Sequence, residues 1–186
     1  MSNQGLSAAV RRRVTARDSL PSADPATRAI ATCCAGLIAV LLVSGFLEHE
    51  VLPLHLAQSL IYIAVAVLCF RQNKLGYGIG LSISAEWNAY NLFSSGFIAA
   101  GFRQLSLLLR EGRISNPVHL LGALAGIDHF ALIACLVWGY AKLPSKRFRD
   151  VFILLGSAVL VTAYFLAIVA WLWPQFIPRL KAKFLH

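Results

Sequence analysis

Five stretches of this chain run for about twenty residues or more with at most one Asp, Glu, Lys or Arg apiece. They are residues 29–47, 51–70, 75–102, 114–141 and 151–178. A helix rises about 1.5 Å per residue and the hydrocarbon core of a bilayer is about 30 Å thick, so each stretch is long enough to cross. Lipid offers no hydrogen-bond partner, and a backbone in it must satisfy itself within one helix or a closed barrel. The alternation of a membrane β-barrel strand is missing. The expected fold is therefore all-α: a polytopic transmembrane bundle of about five spans.

Composition agrees. Hydrophobic residues make up 58% of the chain and charged residues 13%, against about 25% charged in a soluble domain. Disorder, a disulfide scaffold, a soluble enzyme and a nucleic-acid-binding domain are excluded on this ground. Residues 1–28 form a basic tail with Arg11, Arg12, Arg13, Arg17 and Arg28, residues 29–178 the membrane domain, and residues 179–186 a short basic tail. The polar lead is too long for a secretory signal, and no A-x-A site follows the apolar run.

Orientation follows from the positive-inside rule. With the N-terminus in the cytoplasm, 11 of the 17 Lys and Arg residues lie inside and 6 outside. The expected location is the plasma (inner) membrane with the C-terminus outside. The net charge of +9 then reflects short loops facing anionic lipid and needs no nucleic acid. Tyr77, Trp138 with Tyr140, and Trp171 with Trp173 gather at helix ends as an interfacial belt. Between the third and fourth spans, residues 102–116 mix Leu105, Leu107, Leu108 and Leu109 with Arg103, Arg110 and Arg113. An interfacial amphipathic helix is expected there, with a continuation of the third span as the alternative.

Polar residues inside apolar stretches are the candidate site, because a carboxylate at the bilayer centre costs at least about 2.5–3.5 kcal/mol on insertion scales. Glu86 lies in the third stretch; Asp128 and His129 lie in the fourth. Consecutive antiparallel helices put them at similar depth, so Glu86 is expected to pair with Asp128 or His129. These three are the candidate acid–base residues. The run Glu86-Trp87-Asn88-Ala89-Tyr90-Asn91 supplies the candidate ligand contacts Trp87, Asn88, Tyr90 and Asn91. At about 100° per residue, Ser84, Asn88, Asn91 and Ser95 share a stripe about 60° wide, with Glu86 almost opposite. A helix polar on two sides belongs at the centre of the bundle. For Asn88 and Asn91, interhelical hydrogen bonding competes with pocket lining.

Two glycine patterns predict close helix contacts: Gly76 with Gly80, and Gly122 with Gly126 beside His129. At the outer surface, His49, His55 and His119 with Glu48 and Glu50 form a candidate metal cluster, since imidazole suits Zn²⁺ and Cu²⁺. The alternative there is a solvated acidic loop. His119 and His129 are about 15 Å apart along one helix and cannot share a haem iron. All four cysteines stand outside any CxxC, so neither a redox pair nor a zinc clip is expected. No G-x-S-x-G, HExxH, P-loop or GxGxxG occurs.

The expected function is to bind or move a small or lipophilic ligand, with proton linkage, in a buried polar pocket. A membrane enzyme of the lipid, sterol or terpene isomerase or cyclase type is one alternative. A non-catalytic subunit of a membrane complex is the other. The expected partners are the bilayer, a lipophilic small molecule, and further copies or subunits in an oligomer.

Overall fold

The computed structural model describes residues 24–172 and Pro174, and its regular structure is entirely helical over those residues. Helix α1 is Pro25–Leu47. A single tight turn, His49–Val51, leads into α2, Leu52–Phe70. Helix α3, Lys74–Ala89, runs into a wide π turn, Tyr90–Ser94. Then come α4, Phe97–Glu111, α5, Pro117–Ala141, and α6, Asp150–Leu172. The readings of residues 1–23 and 179–186 as basic tails, and the far end of the last stretch, lie outside the described residues.

Four helical stretches are individually long and apolar enough to cross a bilayer: Pro25–Leu47, His49–Phe70, Pro117–Ala141 and Asp150–Leu172. The bent pair Lys74–Ser94 and Phe97–Glu111 makes a fifth if taken together. The bundle is thus an all-α membrane fold. Helix starts follow ordinary capping chemistry. Asp24, Asn73 and Asn116 accept hydrogen bonds from Ala26, Leu75 and His119 backbone N–H groups, which would otherwise lack partners. Pro25 and Pro117 occupy first-turn positions, where no N–H is needed.

The expectation of one continuous third span over residues 75–102 is corrected. The helix breaks after Ser94, and its two parts meet at 78°. Gly96 sits at φ +65°, a left-handed conformation that costs other residues about 1–2 kcal/mol. A chain of side chains splints the bend. Asn91 donates to the Trp87 carbonyl at 2.9 Å, and Ser95 Oγ donates to Asn91 Oδ1 at 2.9 Å. Ser95 Oγ then accepts from Phe97 N at 3.1 Å, capping α4.

Helix α4 starts earlier than the amphipathic segment read from the sequence, and it is not a straight continuation of α3. It lies against the first half of α5. A Cβ on Gly101 would stand 2.5 Å from the His119 carbonyl and 2.4 Å from Ala123 N, so the two backbones touch. Gly122 and Gly126, the predicted seam, receive Phe97 and Ile98 of α4. Gln104 Oε1 accepts from Ser115 N, Ser115 Oγ and Asn116 N, which ties the connecting loop back to α4.

Helix α3 is central, as its two polar faces require. It packs on α2, α5 and α6, and nine of its 16 residues are buried, against three of 23 in α6. Gly80 meets Leu136 and Val65, and Gly78 meets Ser157. Helix α1 packs on α2 and α5. One end of the bundle gathers ion pairs: Lys74 with Asp150 at 2.6 Å and Lys142 with Asp24 at 2.9 Å. Tyr140 also donates to Asp150.

Candidate functional site

At the opposite end, a cleft of about 530 Å³ opens between α1, α2, α5, α6 and the bend of α3. The bend creates it. Where α4 turns away from the axis of α3, the space above Trp87 and Tyr90 is left to side chains of the other helices. Leu37, Val40 and Leu41 of α1, Leu54 of α2, and Phe165 and Val169 of α6 form apolar walls. Glu48, His55, Gln58 and His119 lie towards the helix ends that form its mouth.

The deep end is built from three helices. His129 is 1% exposed and Tyr62 2% exposed. His129 stacks flat on Trp87, with ring centroids 4.3 Å apart and planes 11° from parallel. Its Nδ1 lies 2.7 Å from the Ala125 carbonyl and its Nε2 lies 2.7 Å from Tyr62 Oη. A carbonyl only accepts, so Nδ1 carries the hydrogen. In the neutral ring Nε2 is then a bare acceptor, and the Tyr62 hydroxyl donates to it. His129 stands twelve residues into α5 from Pro117, or about 18 Å at 1.5 Å per residue. This polar pair therefore lies near mid-bilayer depth for a helix that spans.

The predicted carboxylate pair is not assembled. Glu86 lines the cleft but turns to Thr162 of α6. Both ring nitrogens of His129 are occupied by other groups. Asp128, about 100° further round α5 than His129, faces α1 and is not a cleft residue. It turns to Cys33, and its Oδ2 fills the space that a Cβ on Gly36 would need, at 2.4 Å. Common depth was a sound inference; common direction was not. Of the candidate ligand contacts, Trp87, Tyr90 and Asn91 line the cleft. Asn88 does not. It is 4% exposed, and neither atom of its amide has a partner among the described residues; the Ser82 and Ser84 hydroxyls are likewise unpaired. Asn91 acts as a hydrogen-bonding splint within its own helix.

The three histidines of the metal expectation are not gathered into one group either. Among the described residues no group of three or more His, Cys, Asp or Glu could hold a metal ion. His55 and His119 line the cleft, but His49 does not. His55 Nδ1 is engaged by the Leu41 carbonyl at 3.0 Å, and the His119 ring stands edge-on to Phe97 with centroids 5.7 Å apart.

Tyr62 escaped the sequence reading. A signal was present: His55, Gln58 and Tyr62 recur at i, i+3 and i+7 along a mostly apolar helix, which is one face. No family model, no curated protein and no solved structure matches this chain.

Proposed function

We propose that this membrane protein binds or moves a small lipophilic ligand in the cleft at the bend of α3. The observation that carries the reading is the cleft itself, apolar along its walls with a hydrogen-bonded Tyr62–His129 pair and Glu86 in its depth. Ligand sites are typically concave, mostly apolar and supplied with a few polar groups that set orientation. In the orientation given by the charge bias, the cleft opens outward from the plasma membrane and the N-terminus is cytoplasmic. A cytoplasm-only fluorescent reporter fused after His186 is then dark; a bright cell overturns that orientation.

Leu41→Trp fills the cleft from its α1 wall. Protein purified from its own membranes is expected to carry a small lipophile in native mass spectrometry, and Leu41→Trp to carry none. Wild-type protein without such a molecule, in a preparation that keeps its annular lipid, overturns the reading.

One observation favours catalysis as a second reading. The Tyr62 hydroxyl stands in line with an imidazole at the cleft's deep end, an arrangement suited to passing a proton. General acid–base groups contribute about 10²–10⁴-fold. A loss of that order in Tyr62→Phe, with ligand occupancy retained, distinguishes an enzyme from a binding protein.

A further inference from the structure

We infer that the cleft selects a lipophilic cation, a protonated amine carried on an apolar body; this rests on the ligand-site reading above and specifies its ligand. Two independent features of the lining carry it. The first is charge. Lys and Arg outnumber Asp and Glu by 17 to 8 in the chain. The cleft reverses this: among the described residues its charged lining is Glu48 and Glu86, with no Lys or Arg.

The second is the direction of the hydrogen bonds. Five polar groups of the lining spend an N–H or O–H on the protein, beside Ser44, Gln58, Trp87, Tyr90 and His119, which also line the cleft. His129 gives its N–H to the Ala125 carbonyl, and Tyr62 gives its hydroxyl hydrogen to His129. His55 gives its N–H to the Leu41 carbonyl, so in the neutral ring its Nε2 has a lone pair to offer. Asn91 gives its amide to the Trp87 carbonyl, and Ser95 gives its hydroxyl hydrogen to Asn91. What Tyr62 and His55 have left is lone pairs, on Tyr62 Oη and His55 Nε2, beside the carboxylates of Glu48 and Glu86. Such a lining matches a ligand that brings N–H donors and positive charge. It repels a carboxylate or a phosphate. Trp87, Tyr90 and Phe97 add ring faces and edges to the same cavity, and aromatic faces attract cations. The apolar walls accept the body of the ligand while Glu86 receives its ammonium group.

Three probes with one apolar body and different heads test this: 1-aminoadamantane, 1-adamantanol and adamantane-1-carboxylate. Binding is measured by titration calorimetry on the full chain in nanodiscs of zwitterionic lipid, against empty nanodiscs. Hydrogen bonds to charged groups exceed neutral ones enough to give about tenfold tighter binding. The amine is therefore expected to bind about tenfold tighter than the alcohol, and the carboxylate weakest. Glu86→Gln is expected to remove the amine's advantage over the alcohol, with an unchanged circular dichroism spectrum reporting that the variant is folded. Glu48→Gln, at the mouth, provides a second variant with a smaller effect in the same direction. Alcohol or carboxylate binding as tight as the amine, abolished by Leu41→Trp, overturns the cation inference and leaves the ligand site standing. An amine preference that survives in both Gln variants overturns it too. Binding of none of the three overturns the inference and the site together.

Discussion

Tyr62 and His129 show how a polar pair can be held in an apolar bundle: each hydrogen on the pair points at a defined acceptor. Removing the Tyr62 hydroxyl leaves Nε2 of His129 buried without a donor, a loss that typically costs about 1–3 kcal/mol. Tyr62→Phe is therefore expected to lower the thermal midpoint of the detergent-purified protein. An unchanged midpoint would mean that the bond contributes nothing net. Asn88 presents the reverse case, a buried amide with no partner among the described residues. Replacing such a group by an apolar one of similar size is expected to stabilise, because the desolvation penalty disappears. Asn88→Leu should raise the midpoint; a clear fall would show that the amide does have a partner in the membrane. That a residue is polar and deep could be read from the chain. Whether it points at a cleft, as Glu86 and His129 do, or into a helix seam, as Asp128 and Asn88 do, depends on about 100° of helix rotation relative to neighbours.

At the level of the element, the bend between α3 and α4 and the seam between α4 and α5 each depend on one glycine, for different reasons. Gly96 has nothing within 4 Å of the position a Cβ would take, but its φ is +65°. Gly101 has backbone at 2.4 Å and 2.5 Å. Gly96→Ala should thus cost only conformational energy, about 1–2 kcal/mol, with the α4–α5 contact retained. Gly101→Ala must push two helices apart and expose the Gln104 clamp. Limited proteolysis of the 112–116 connection is expected to speed up markedly in Gly101→Ala and little in Gly96→Ala. Equal rates in the two variants would contradict the distinction. The bend was only partly legible. Ser94-Ser95-Gly96 is a recognisable breaker, but glycine also occurs inside unbroken helices of this chain, such as Gly78 and Gly80 in α3. Only the π turn and its splint show which glycine ends a helix.

Over the whole molecule, the two ends of the bundle are chemically unlike. The cleft at one end is lined by the acids Glu48 and Glu86; the other end carries ion pairs between chain segments far apart in sequence. Lys142 beside Asp24 holds the Asp24 carboxyl below its ordinary value. A carboxyl depressed in the folded state adds stability at pH values above its unfolded pKa, and that contribution fades as pH falls through the folded one. Wild type and Lys142→Ala should therefore differ slightly in thermal midpoint at neutral pH, and the gap should close in acid. It should also shrink at high salt, since the pair is exposed. A gap that widens in acid would reverse the sign and refute the assignment.

The sequence by itself determined that the chain forms apolar helices of membrane length, that α3 is central, and that Gly80, Gly122 and Gly126 stand at helix contacts, though not that Gly101 does. These are consequences of hydropathy, of hydrogen-bond satisfaction in lipid and of side-chain size, all local properties. Tertiary structure decided where the polar residues point. Glu86 and Asp128 share a depth yet face different helices, His49 stays out of the cleft that His55 and His119 line, and Tyr62 joins His129 from a helix 67 positions away. The cleft is a product of one bend and of the rotation of five helical segments about their own axes. Rotation is set by how ridges of side chains fit between neighbours, and no single segment carries that information.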